Sequence, residues 1–221
     1  MDPDAAHDET GLPIRPRPDG SDIRKASADE RSAVAEALAR GFHDDPIIAW
    51  VIPDAERRAL ELGRGFDLFA RRIYFPRDEV YTTDHLAGAA CWMPPGRTRV
   101  SVFEQLRMLP GMLASFRRDL GRLVALLNAF EKRHPHEKEH WYLPVVAVKP
   151  EWQGRGFGAA LLRPVLDRCD REGVAAYLEA TSPRNRALYE RHDFVVLEEL
   201  RARADAPPAW PMWREPQPIA N

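Results

Sequence analysis

A chain of 221 residues with 44% hydrophobic side chains can fill one sizeable core; it is long for one domain but short for two of ordinary size. Its 32 basic and 34 acidic residues leave a formal net charge of −2, so no whole-molecule field favours nucleic acid or an anionic membrane, and any acidic ligand must be held locally. Two cysteines, Cys91 and Cys169, are too few for a disulfide framework or a Cys-rich metal site, and no apolar run approaches the ~20 residues that span a bilayer, so a cytoplasmic protein is expected.

Residues 1–20 combine Pro3, Pro13, Pro16 and Pro18 with scattered charge and little to bury, which predicts a disordered tail and not a signal peptide, ahead of a single domain over 21–215. Ile23 to Ala26 reads as a short first strand. Ser27 or Asp29 can then cap a helix carrying Val34, Leu38 and Phe42 at helical spacing. Phe42-His-Asp-Asp-Pro46 breaks that helix, and Ile47 to Ile52 is a short apolar segment. A second helix is predicted from about Asp54 to Phe75, with Leu62, Phe66, Phe69 and Ile73 on one face. Val80 to Thr83 and Leu86 to Met93 form a hairpin around Asp84-His85. The apolar stretch from Val100 to Arg133, interrupted by Pro110-Gly111, reads as two helices.

His134-Pro-His-Glu-Lys-Glu-His140 packs histidines and glutamates together, but the spacing matches no usual zinc motif, and a solvated charged loop explains it; no metal is expected. His140, directly before the next strand, is the histidine there that could reach a pocket. Leu143 to Val148 is an apolar, β-branched run stopped by Pro150, and a glycine-rich turn then opens a helix near Gly156. That helix runs from Phe157 to Arg171 and ends at Gly173. Val174 to Thr181 is a strand, Asn185 to His192 a short helix, Phe194 to Leu200 a strand, and Ala209 to Trp213 a final short strand. Such a mixture, with β-α-β around the loop, gives an α/β or α+β sheet domain.

The turn from Gln153 to Ala159 suits a phosphate ligand. Gly154, Gly156 and Gly158 have no Cβ, so a ligand can approach the backbone, and the first helical N–H groups have no partner within the helix. Those donors and the helix dipole favour a pyrophosphate, and Gln153 and Arg155 can add side-chain donors. A Walker loop is excluded, because Gly158 is followed by Ala159-Ala160 with no lysine nearby. Gly154, Gly156 and Ala159 also fit G-x-G-x-x-A with Glu179 twenty residues on, but only 62 residues (221 minus 159) follow, too few for a doubly wound dinucleotide domain.

Gln153, Gly156 and Gly158 between a strand and a helix resemble the Q/R-x-x-G-x-G/A loop of the GCN5-related N-acetyltransferases. The likeness continues through Tyr177-Leu-Glu-Ala-Thr-Ser-Pro-Arg-Asn-Arg-Ala-Leu-Tyr189 to Phe194 and is strongest over about 140–200. Among members it is nearest to those acting on puromycin, through Trp141-Tyr-Leu and Phe42-x-Asp44-x-Pro46. Asp45 stands where those have a tyrosine, so their substrate is not carried over. Asp193 stands where the family has glycine.

The resemblance implies a mixed, mostly antiparallel central sheet flanked by helices, with the acyl-CoA loop between the central strand and a helix. It implies transfer of an acetyl group from acetyl-CoA to a primary amine, of a small molecule or alternatively of a peptide, without a covalent enzyme intermediate. Val146, Ala147 and Val148 would hold the pantetheine arm. Gln153, Gly154, Arg155, Gly156, Phe157, Gly158 and Ala159 would hold the phosphates, with Asn185 beside the cofactor unless it merely caps its helix. Tyr189 would protonate the departing thiolate, or else simply pack the helix on the sheet. Glu179 is the first candidate for general base, since an acid in an apolar strand is costly to bury unless used or paired, for example with Arg184 or Arg186. Asp44, Asp45 and His140 are weaker candidates, and any of these acids could instead bind an ammonium group. The competing reading is a non-catalytic acyl-CoA-binding or sensing module.

Overall fold

The computed structural model describes residues 22–218, so the tail expected over 1–20 lies outside the described residues. Seven strands among them form one sheet: β1 (Ile23–Lys25), β2 (Val80–Thr83), β3 (Gly88–Met93), β4 (His140–Val148), β5 (Ala175–Ala180), β6 (Val195–Val196) and β7 (Trp210–Arg214). Their order is β1-β2-β3-β4-β5-β7-β6, and every neighbouring pair is antiparallel except β4 with β5. One parallel pair in a mainly antiparallel sheet matches the expected fold and excludes the doubly wound dinucleotide domain.

Helices cover both faces because each strand of the centre alternates two apolar sets. On one face, α1 (Arg31–Phe42), α2 (Pro46–Val51), α3 (Ala55–Phe69), α4 (Val102–Phe116) and α5 (Leu120–Arg133) bury Leu38, Ile47, Leu62, Met108 and Leu126 against Cys91 and Ala147. On the other, α6 (Phe157–Glu172) and α7 (Pro183–Glu190) bury Leu161, Leu162, Val165 and Tyr189 against Trp141, Leu143 and Leu178.

Several boundaries differ from the sequence reading. Ile47 to Ile52 is mostly helical, as α2, because Asp45 caps it and Pro46 opens it. The helix α4 runs through Pro110, and the chain breaks only near Arg117 to Asp119. Packing overrides the break: at Gly111 a Cβ would stand 2.8 Å from the Leu68 side chain, so the Pro-Gly pair lets α4 lie close on α3. The last long strand is shorter than expected, with β6 ending at Val196 and Leu200 returning only as an isolated bridge to Ala209. The helix expected from Asn185 starts at Pro183, with Ser182 Oγ accepting from the Asn185 N–H at 3.2 Å. Asp193 takes a left-handed φ of 64°, the conformation a glycine would supply, and aspartate tolerates it better than most residues.

The segment from His134 to His140 is only partly the solvated loop expected. Residues 136–139 are exposed, but His134 and His140 are buried and face each other, Nε2 to Nε2, at 3.0 Å. Burial, with the neighbouring His140 adding to it, pushes His134 down to about 3, and burial lowers His140 as well, so the pair is neutral.

Candidate active site

The site begins where β4 and β5 part. Their parallel pairing runs from His140–Ala175 to Leu143–Leu178 and stops, although β4 continues to Val148 and β5 to Ala180. The cause is local: Cys91 of β3 faces Val145 while Met93 faces Tyr142, so β4 carries one extra residue, a bulge, around Pro144. A proline has no N–H to offer a ladder, and a bulge is where a strand tolerates it. The bulge also lets Tyr142, Pro144 and Val145 all face the same side of the sheet, lining one cavity.

Beyond the bulge, Lys149 N–H donates to Ala87 O at 2.8 Å, so alternation turns Val145 and Ala147 towards β3 and the backbone groups of Val146 and Val148 into the split. Ala147, expected to bind with them, lines the cleft but has its backbone directed to β3. The helix α1 presses on the same stretch through Gly41, where a Cβ would come within 2.6 Å of Ala147 Cβ and 2.9 Å of Val148 O.

The turn after β4 continues the split as a cleft of about 300 Å³, lined by Val146 to Val148, Gln153, Gly154 and Gly156 to Ala159, with Asn185 and Tyr189 opposite. Gly154 at φ 77° and Gly156 at φ 97° occupy the left-handed region that side chains strain to adopt. The first N–H groups of α6, from Phe157 to Ala159, are the ones a helix leaves without internal acceptors. Gln153 differs from expectation: its Nε2 donates to Val148 O at 2.9 Å and its Oε1 accepts from Arg184 at 2.9 Å, so it fastens the loop to β4 and α7. The Arg155 guanidinium lies over the Trp152 ring, 5.9 Å from its centroid. Arg184 and Arg191, which local motifs did not mark as ligand residues, line the cleft and add positive charge.

Tyr189 is buried in α7, packs edge-on against Phe194 and lines the cleft. Burial raises its pKa, and the carboxylate of Asp45 adds to the shift, so the phenol holds its proton. Asp45 itself lines both this cleft and an apolar cavity of about 160 Å³ behind it. Its Oδ1 accepts from the N–H groups of Ile47 (2.9 Å) and Ile48 (3.2 Å), and its Oδ2 from the Thr181 hydroxyl. Burial raises its pKa, and those three hydrogen bonds oppose the shift. Asp45, and not Asp44, is therefore the cap of the Pro46 segment; Asp44 is exposed and pairs with His43.

Glu179 is not among the cleft-lining residues. Neither Arg184 nor Arg186 holds it, since these bond Gln153 and Glu190. It accepts instead from Tyr142 Oη at 2.9 Å, and its other oxygen is buried without a partner. Enclosure pushes its pKa up to about 7 against the opposing pull of the Tyr142 and Tyr177 hydroxyls. Tyr142 lines the apolar cavity, so Glu179 reaches that space through the phenol. His140 lines neither space. Among the described residues no group of three or more His, Cys, Asp or Glu could hold a metal, and no helix is long and apolar enough to cross a membrane.

Known proteins are similar to this chain in sequence and fold. The chain is 26% identical over 208 residues to an uncharacterized N-acetyltransferase of Schizosaccharomyces pombe, covering 88% of this chain and 83% of that protein. Among solved structures it resembles one described as histone acetyltransferase HPA2 and related acetyltransferase from Corynebacterium glutamicum, at a TM-score of 0.68 and 26% identity, covering 90% of this chain and 98% of that one. Arylalkylamine N-acetyltransferase 2 of Aedes aegypti shares the fold at a TM-score of 0.56 and 11% identity, covering 88% of this chain and 98% of that one. Residues 69–194, more than half of the length, match the acetyltransferase (GNAT) family, and the chain belongs to that family.

Proposed function

We propose that the protein moves an acetyl group from acetyl-CoA directly to the primary amine of a small molecule. The observation that carries this reading is the continuity of the β4/β5 split with the glycine turn, which together form one cleft. A thin, amide-bearing arm ending in phosphates fits such a cleft: the backbone of Val146 and the Val148 N–H offer partners to the arm, while the Val148 carbonyl is held by Gln153, and Gly154 to Ala159 with the α6 N-terminus receive the phosphates. Asn185, Arg184 and Arg191 supply polar and positive groups along the opposite wall.

Acetyl-CoA supplies an acyl thioester, already activated for attack. In the transfer the acceptor nitrogen bonds to the thioester carbonyl carbon and the carbon–sulfur bond breaks. Tyr189 gives its proton to the departing sulfur, a task suited to a phenol that stays protonated at neutral pH. An ammonium acceptor sheds two protons overall, one matched by the proton placed on sulfur and one released to water. Tyr142 and Glu179 form the path for nitrogen's proton: the Tyr142 oxygen accepts it while its own proton passes to Glu179. A carboxyl pushed up to about 7 is poised for that exchange near neutrality.

Calorimetric titration of acetyl-CoA into the wild type and Gly156→Val, with folding checked by circular dichroism, tests the cofactor site. Saturable binding to the first and its loss in a folded second is the expected result; a folded wild type that binds nothing sinks the reading. Tyr189→Phe should keep acetyl-CoA binding and lose turnover. Binding with no transfer by the wild type to any amine identifies a non-catalytic module instead.

A further inference from the structure

The space behind Asp45 is narrow in what it can accept. It measures about 160 Å³, and among its described lining residues Asp45 alone carries a charge. Phe42, Phe66, Phe69, Phe130 and Tyr142 supply ring surfaces, and the cavity shares Phe42 and Asp45 with the cofactor cleft. We infer that the acceptor is a primary amine with one positive charge, borne by a short linker on a single apolar ring, its ammonium on Asp45 and its ring in this cavity. The inference rests on the acetyltransferase reading and adds the substrate class to it.

Size, charge and position each support it. A dry apolar cavity of about 150 Å³ holds one benzene ring, so the space of about 160 Å³ here has room for one ring. Aromatic walls give such a ring edge and face contacts that an aliphatic polyamine cannot use. A carboxylate offers about four acceptor sites, and three on Asp45 are taken by Ile47, Ile48 and Thr181. The remaining site on Oδ2 suits one N–H of an ammonium group. A second cation deeper in the cavity has no carboxylate to meet, and an unpaired buried charge is strongly disfavoured. Asp45 also stands close enough to Tyr189 to shift its phenol, so an ammonium docked there lies beside the proton donor of the transfer.

The test is a comparison of kcat/KM, with acetyl-CoA saturating, for 2-phenylethylamine, 2-(1-naphthyl)ethylamine, agmatine and a short lysine peptide. Phenylethylamine should exceed agmatine and the peptide by at least about 100-fold. Asp45→Asn keeps the helix-capping oxygen and should raise KM for phenylethylamine more than about tenfold, a larger change than any in acetyl-CoA affinity read by calorimetry. Phe66→Leu should shift preference towards the naphthyl amine, an exchange that general damage does not produce. Agmatine or the peptide matching phenylethylamine, or an unchanged KM in Asp45→Asn, overturns this inference and leaves the acetyltransferase reading standing. Transfer to none of the four amines overturns this inference, and the acetyltransferase reading then stands or falls on the acetyl-CoA titration.

Discussion

The two sides of the transfer point are made of different material. The proposed cofactor side runs continuously from Val146 to Ala159 and would act mostly through backbone: the edge of β4 beyond the split, two glycines at left-handed φ and the opening turn of α6. The acceptor side is assembled from side chains far apart in the chain, among them Phe42, Asp45, Phe66, Phe130, Tyr142 and Thr181. A backbone cradle recognises groups that every acyl-CoA carries and is blind to most side-chain changes. A side-chain pocket can be remodelled for a new acceptor while the loop stays as it is. On the proposed reading, one part of the chain would fix the donor and another would choose the recipient.

Substitutions that split binding from turnover test this division. Tyr189→Phe should lower kcat by about 100- to 1,000-fold with acetyl-CoA affinity nearly unchanged, as removal of a general acid does; thiol release with parallel calorimetry reads both, and an undiminished kcat removes Tyr189 from the chemistry. Gly156→Val forces a β-branched residue to φ 97°, and acetyl-CoA binding should weaken by about 10- to 100-fold. Equal damage to amine KM at saturating cofactor would blur the division. In the proposed transfer, Glu179 would give the acceptor side its pH signature. Below about 7 its carboxyl is protonated and cannot take a proton, so kcat should rise with pH through that value, and Glu179→Gln should flatten the rise. The same shift sets a stability trend. The folded pKa lies above the unfolded one, so the contribution is complete below the ordinary carboxyl range and lost as pH rises through about 7. Thermal melts at pH 8 should therefore find Glu179→Gln no less stable than wild type. Gly158→Ala is the mildest change, since its Cβ meets only the mobile end of Leu188 at 3.3 Å; acetyl-CoA affinity should drop less than about threefold.

Legibility follows the same line. The strand, Pro150, the glycine spacing and the helix are local signals, and the structure has them where the sequence reads them. Gln153 shows the limit even there: its residue type suits a ligand donor, but tertiary partners at Val148 and Arg184 engage its carboxamide. Asp45 reads as a minor acid in a broken helix until Thr181, from beyond β5, is brought to its carboxylate. His134 looks solvated in a charged run, and His140 is read as a residue that could reach a pocket, because nothing local says that the loop between them folds their rings together. The β4 bulge did have a signal. Pro144 interrupts an otherwise uninterrupted apolar run, and a proline within a strand marks a bulge or an edge. Gly41 gives a fainter one, a glycine within a helix whose reason, contact with Ala147 and Val148, is visible only in three dimensions.

The parting of β4 from β5 has a further consequence for how the molecule avoids unwanted company. Unpaired strand edges recruit other chains, and proteins ordinarily cap or charge them. Here the exposed edge lies inside the sheet, between two strands still joined at Leu143–Leu178 and roofed on one face by α1 at Gly41. A polypeptide entering to extend the ladder would need room for a side chain at every residue above and below, whereas a slender chain with amide groups and few branches needs far less. The opening thus works as a gauge of calibre, excluding aggregation partners by their width while the backbone within stays sticky.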